Sequence, residues 1–334
     1  MTSVGDAAPF ARLQLGDGWT ARVLLRSADA PPIPGLPGVE FTREAWADWL
    51  RMPLRWFPPT NKRDIMKSSS TTTVGRASMP LPTGGQLDIV CKRRVPRQLY
   101  RRLLAMVRVS RPRRTWWRAS ALLQADIATA RPLAVLERRR FGLLVDSLLI
   151  TEYLDNAGDL ESLLTVGMRP LNQTDSWRLK FNLADAMAEF ICRLHNARLI
   201  HRDFKALNVI VQRSPARGDR IKGNGGKDDE TKGNWVKGDG IKIAVVDLDG
   251  IRQTLTSSPD APLRMLMRLN VSVDGFKRVC LTDRVRLLQR FLVHAGRPIS
   301  EWKSLWRELA IRSDRKREIR TRHQERSFQK YGRF

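Results

Sequence analysis

The segment Leu199-Ile200-His201-Arg202-Asp203-Phe204-Lys205-Ala206-Leu207-Asn208-Val209-Ile210-Val211 constrains this chain more than any other stretch. It is entered from 176–195, where Trp177, Phe181, Ala184, Met187, Ala188, Ile191 and Leu194 recur at helical spacing. It leaves into an apolar, β-branched run that reads as a strand. A loop carrying His, Arg, Asp, Lys and Asn is thus held between an amphipathic helix and a buried strand.

The loop fits the pattern H-R-D-x-x-x-x-N, the catalytic loop of protein kinases. The chemistry explains the spacing. Phosphoryl transfer needs a carboxylate beside the acceptor hydroxyl, which is Asp203, and a neutral oxygen ligand for Mg²⁺, which is Asn208. Lys205 can reach the γ-phosphate, while His201 and Arg202 shape the loop. A second strand, Ile241–Val246, ends in Asp247-Leu248-Asp249-Gly250. This occupies the place of the kinase D-F-G, so Asp247 is the expected Mg²⁺ ligand, with Asp249 as the alternative or a supporting group.

Upstream, 64–79 and 86–94 read as two strands joined by a turn at Gly84–Gly85. Leu87, Ile89 and Cys91 alternate on one face of the second strand, which places Lys92 on the other, toward the ATP phosphates. Ser68 to Gly75 stands where kinases carry a glycine-rich loop, and Thr73 is its candidate phosphate contact. Leu133–Leu136 and Leu143–Tyr153 read as strands turned by the polar Glu137-Arg138-Arg139-Arg140. The end of the second, Glu152 to Leu154, is the expected adenine-binding backbone. Thr115–Ala125 reads as a helix with one buried aromatic side; its Trp and Arg residues are not taken as a nucleotide-stacking platform. It contains no Glu to pair with Lys92.

The chain of 334 residues has 60 Lys and Arg against 34 Asp and Glu, a formal net charge of +26. Such a field attracts polyanions, and charge alone does not choose among nucleic acid, membrane or a phosphorylated glycolipid. No nucleic-acid motif is present, so nucleic acid is not the expected partner. Cys91, Cys192 and Cys280 lie far apart among apolar neighbours and are expected to be buried, reduced thiols. The first residues show neither a basic nor an apolar leader region, and no apolar run reaches the length of a membrane span. A cytoplasmic protein, peripheral at most on the inner membrane face, is expected, acting as a monomer.

The chain resembles the lipopolysaccharide core kinases, the Kdo/heptose kinase family of the protein-kinase-like superfamily. The resemblance runs from about Lys67 to Val293. It is carried by IHRDFKALNVIV and VVDLDGIR, by Ser110-Arg111 with WWRASALL, and by TARPLAVLE and LLITEYL. RMLMRLNVSV and TDRVRLLQRFL complete it. It implies ATP- and Mg²⁺-dependent phosphorylation of a sugar hydroxyl on an anionic, lipid-anchored saccharide. Asp203 would be the base, Asn208 and Asp247 the metal ligands, and Lys92 the phosphate contact.

The expected fold is α+β and bilobal, with a small antiparallel β-rich N-lobe and a mainly helical C-lobe. The expected divisions are an N-terminal extension (1–60), an N-lobe (61–154), a C-lobe (155–311) and a basic tail (312–334). Residues 214–240, where KGNGG, KGNW and KGDG echo one another, form a low-complexity insertion in the C-lobe. The competing readings are a kinase of a protein or small-molecule hydroxyl, and an inactive basic scaffold that binds anionic lipid.

Overall fold

Strand-length alternation of buried and half-exposed residues builds the first part of the chain. The computed structural model describes residues 10–26, 40–54, 57, 64–69, 71–81, 85–96, 109–213, 240–254, 258 and 260–331. PPIPGLPG and nearly all of the insertion lie outside them. Two units separate, Met1–Gln124 with Ala130–Asp155, and Ala125–Thr129 with Asn156–Phe334.

The strands of the first unit are β1 (Phe10–Gln14), β2 (Trp19–Leu24), β3 (Ile65–Ser68), β4 (Thr72–Pro80), β5 (Gln86–Arg94), β6 (Pro132–Arg140) and β7 (Leu143–Glu152). They form one antiparallel sheet in the order β1-β2-β6-β7-β5-β4-β3. Ile89 and Cys91 of β5 are fully buried and Lys92 is half-buried, as the alternation requires. Burial pushes the Cys91 thiol up to about 12. Helix α1 (Arg43–Trp49) is capped by Thr42, whose Oγ1 accepts the Ala45 N–H at 3.1 Å. It anchors to β2 through Trp46, whose Nε1 donates to Leu24 O at 2.7 Å and whose ring stacks on Phe41. Truncating a buried Trp of this kind costs about 3–5 kcal/mol.

Several boundaries differ from the sequence reading. The segment 64–79 is a hairpin instead of one strand, because Ser69 turns the chain. Its N–H donates to Thr72 O at 2.8 Å, and its hydroxyl accepts the Thr72 N–H at 3.1 Å. Glu137 to Arg140 continue β6, paired to both β2 and β7, and the turn falls on Phe141-Gly142, where both φ values are positive (51° and 76°). Helix α2 (Arg111–Gln124) begins four residues early, since the Ser110 hydroxyl accepts the Arg113 N–H at 3.3 Å. It buries Pro112, Trp116, Ala119 and Leu122 and leaves Trp117 exposed. Residues 10–24, set apart in the sequence as part of an extension, form β1 and β2 of the main sheet.

The second unit is mainly helical. Its helices are α3 (Gln173–Asn196), α4 (Asp260–Ser272), α5 (Leu281–His294) and α6 (Trp302–Tyr331). Asn172 caps α3, accepting the Asp175 N–H at 2.8 Å. The helix buries Leu183, Met187, Ala188, Ile191 and Leu194. Trp177 and Phe181, read as part of that apolar face, are 54% and 38% exposed instead, with Arg286 and Arg290 of α5 over their rings. The charged segment from 312 continues α6 without a break. Cys280 is exposed, contrary to expectation, because it sits at the start of α5 with its N–H donating to Asp283 at 3.0 Å. Small antiparallel sheets pair β8 (Ala157–Asp159), β10 (Val209–Arg213) and β11 (Ile241–Val245), and separately β9 (Leu199–His201) with β12 (Ile251–Gln253).

Candidate active site

The loop after β9 is tied down from several sides. Fully buried His201 accepts the Asp203 N–H on Nδ1 at 3.2 Å, so its proton sits on Nε2, which donates to Val246 O at 3.2 Å. Burial holds the imidazole below its ordinary pKa and favours this neutral form. The ring thereby joins the Asp203 loop to the strand that delivers Asp247. A second tie runs from the Val246 N–H to Asn208 O at 3.0 Å. Asn208 is buried, and its amide nitrogen donates to Asp203 O at 2.8 Å and to Oδ2 at 3.0 Å. With that nitrogen committed, Oδ1 is the atom Asn208 offers to a cation. Lys205 Nζ lies 2.9 Å from the same Asp203 Oδ2.

Asp247 takes φ 56°, a left-handed conformation that a non-glycine residue adopts at a cost of about 1–2 kcal/mol. Three residues on, Gly250 is required by close approach. A Cβ there would meet His201 Cε1 at 3.1 Å and Asp203 N at 3.2 Å. The Gly250 carbonyl also accepts the Arg202 N–H at 2.9 Å. Asp203, Asn208 and Asp247 are thus brought together within one unit. Asp249 lies in the short 3₁₀ turn just after Asp247.

Two further residues support this loop and were not singled out in the sequence. The Ser272 hydroxyl, at the end of α4, accepts the Ala206 N–H at 3.0 Å and donates to Leu269 O at 2.8 Å, clamping the loop from below. Buried Asn270 donates to Ser313 at 2.9 Å and accepts from Arg284 at 2.9 Å, fastening α4 to α5 and α6. Both belong to the RLNVS stretch, whose helical spacing was visible but whose partners lie far along the chain.

In the first unit, Lys92 faces Val74 and Leu149 in register. Thr73 pairs instead with Arg93, so its side chain projects from the opposite face of the sheet. A phosphate held by Lys92 would therefore meet the backbone of β4 and not the Thr73 hydroxyl. Arg93 is committed to structure: it grips buried Asp146 through two nitrogens, at 2.7 and 3.1 Å to Oδ2. Helix α2 supplies no acid. Glu152 closes β7 by accepting the Arg131 N–H at 2.8 Å and donating its own N–H to Arg131 O at 3.0 Å. Burial raises its carboxyl pKa. The Tyr153 N–H donates to Asp88 O at 3.0 Å.

Magnesium takes oxygen ligands, commonly one or two side chains together with substrate phosphates. Asn208 Oδ1 and the Asp247 carboxylate are such atoms, on backbone segments joined through Val246. Among the described residues no group of three or more His, Cys, Asp or Glu could cage a metal. Two side-chain oxygens of this kind suit an ion shared with phosphate oxygens. Among the described residues no helix is long and apolar enough to cross a membrane.

The model of the lipopolysaccharide kinase (Kdo/WaaP) family matches residues 47–223, more than half of the chain. The match includes Lys92, Asp203, Lys205 and Asn208 and ends before Asp247. No curated protein matches. A solved structure of WaaP in complex with acyl carrier protein is similar at 19% identity and a TM-score of 0.48, covering 77% of this chain and 88% of that one. The Toxoplasma gondii rhoptry antigen kinase domain aligns at 8% identity and a TM-score of 0.38, covering 74% and 81%. A sheet-rich first unit and a mainly helical second unit make this an α+β chain. The chain belongs to the lipopolysaccharide kinase (Kdo/WaaP) family and is a kinase that transfers phosphate from ATP to a sugar hydroxyl.

Proposed function

We propose that this kinase phosphorylates a saccharide of the lipopolysaccharide core type while that saccharide is attached to lipid. The observation that carries the reading is the tie of Asp203 to Asn208 and, through His201, to the strand end bearing Asp247. Asp203 takes the proton of the acceptor hydroxyl as its oxygen bonds to the γ-phosphorus and the bond from that phosphorus to the β,γ-bridging oxygen breaks, releasing ADP. Lys205, already beside that carboxylate, offsets charge on the transferred group. Asn208 and Asp247 would hold Mg²⁺, which when bound neutralises the phosphate oxygens. In the first unit Lys92 is assigned to the ATP phosphates. With the Glu152 and Tyr153 N–H groups engaged, an adenine ring falls to Leu154 for its donor.

Peripheral membrane contact is supported by the exposed stacked pair Trp177 and Phe181, bordered by Arg286 and Arg290. Aromatic rings next to cations suit an anionic headgroup layer. The test is transfer of labelled phosphate from Mg-ATP to deacylated lipopolysaccharide core oligosaccharide, by the intact chain and by Asp203→Ala. Labelling that Asp203→Ala abolishes is expected. Labelling of proteins with none of the oligosaccharide would overturn the acceptor assignment.

A further inference from the structure

Beside the catalytic loop lies a cavity of about 190 Å³ lined by Arg202, Arg264 and Arg268 with Ser258 and Ala261. Arg202 comes from the loop itself, one residue before Asp203. Arg264 and Arg268 are four residues apart on α4 and so share a face. Three arginines line one hollow. Of the carboxylates near them, Asp260 is shared between Arg264 and Arg312. Asp203 is already engaged with Lys205 and Asn208. Arg268 is half-buried, and its pKa is held below the ordinary value chiefly by burial; the charge of Asp203 opposes this, and the smaller effects of Arg202 and Arg264 add to it. Like charges placed this close cost free energy unless an anion joins them.

We propose that the basin formed by Arg202, Arg264 and Arg268 binds an oxyanion already present on the acceptor saccharide, a phosphate or a carboxylate close to the hydroxyl being phosphorylated. Guanidinium forks suit both groups, which they grip through paired N–H donors. The basin adjoins Asp203 through the peptide of Arg202, so an anion seated there presents a nearby hydroxyl to the base. Arg268 and Arg264 thereby act as specificity residues for a pre-charged acceptor. This rests on the saccharide-kinase reading above.

The test compares three forms of deacylated core oligosaccharide: intact, dephosphorylated with hydrofluoric acid, and carboxyl-reduced. Arg268→Gln is expected to raise the KM for the intact oligosaccharide about tenfold or more, the size of one lost charge-assisted pair, and to change the KM for ATP less than about twofold. For the intact chain, one of the two modified oligosaccharides shows a similar rise, and that one names the anion. Arg268→Gln no longer distinguishes it from the intact form. Discrimination retained in the variant, or an equal rise in both KM values, overturns the basin. So does a phosphoryl group found on Ser258 by mass spectrometry of the active protein, if Ser258→Ala raises the acceptor KM as much as Arg268→Gln does. If the intact chain labels no oligosaccharide, the acceptor reading fails by itself. Binding of inorganic phosphate then decides the basin: weaker binding by Arg268→Gln supports it, and equal binding by both proteins overturns it.

Discussion

Asn208 reaches back across its own loop to donate one amide nitrogen to both the carbonyl and the Oδ2 of Asp203. In the proposed mechanism the base is therefore oriented by the same residue that would offer an oxygen to the metal. Removing the carboxylate takes away the proton acceptor but leaves Asn208 and Asp247 in place. Asp203→Ala is expected to lower kcat by about 10²–10⁴-fold, the range of general-base contributions, with little change in the KM for ATP. Steady-state kinetics measure both, and an unchanged kcat would remove Asp203 from the chemistry.

Asp247 differs in consequence because its proposed role lies in the nucleotide complex. Asp247→Ala is expected to weaken ATP binding in the presence of Mg²⁺ and to shift the Mg²⁺ dependence to higher concentration. Calorimetric titration of ATP at several Mg²⁺ concentrations checks this. Identical isotherms for variant and parent would move the metal role to Asp249.

Gly250→Ala places a methyl group 3.1–3.2 Å from the His201 ring and the Asp203 nitrogen. The groups that must yield by a few tenths of an ångström are the loop backbone and a fully buried ring. Activity is expected to fall much further than stability. A variant with parental kinetics would show that this close approach is not needed.

The His201 imidazole has its pKa depressed in the folded chain by burial. The unfolded chain then takes up a proton at pH values where the folded chain does not. Stability from this residue is full above the ordinary histidine pKa of about 6.5 and is lost as pH falls toward the folded value. Replacing it by Gln keeps a hydrogen-bonding side chain and removes the titration. The loss of stability between pH 7.5 and 5.5 is expected to be smaller in His201→Gln, read from urea unfolding at each pH. An equal loss in both proteins would assign the acid sensitivity elsewhere.

Arg213 and Ile241 face each other in register at the ends of β10 and β11. A two-residue Asn-Gly turn is thus able to replace 214–240, since such turns join adjacent antiparallel strands. Because loop closure costs about 0.6 kcal/mol per doubling of loop length, the shortened chain is expected to be at least as stable as the parent, by up to about 2 kcal/mol. Loss of the cooperative transition would show that the insertion contributes to the fold.

Much of the candidate site's placement was legible because the residues proposed for it lie close together in the chain. Asp203, Lys205 and Asn208 fall within a few residues, and the strand parity that set Lys92 opposite Ile89 and Cys91 holds. What failed was of two kinds. Some signals were present but missed: Asp17-Gly18, both at positive φ, turns β1 into β2 as an Asp-Gly pair should, and Arg12 and Arg22 are the polar members of a regular alternation with buried Leu13, Ala21 and Val23. Likewise the run of charges at 137–140 looked like a turn, although a paired strand readily carries charges at its end. Others depended on contacts between distant segments. Ser272 clamps Ala206 from 66 residues away, and no spacing rule announces such a pair. The phase of α3 was misjudged at Trp177 and Phe181 for a related reason: periodicity marks a stripe, and neighbouring helices decide which part of it is covered.

The N-terminal hairpin has one more consequence. Strand β6 is bordered by β2 on one side and β7 on the other, and its residues Leu133 to Leu136 are all buried. A chain trimmed at residue 47, where the family match begins, would lose β1 and β2 and leave this apolar strand as a bare sheet margin. Unsatisfied main-chain groups beside leucines recruit other chains. The hairpin thus serves as a guard against self-association, and shortened forms of this enzyme should form oligomers or precipitate where the full chain stays dispersed.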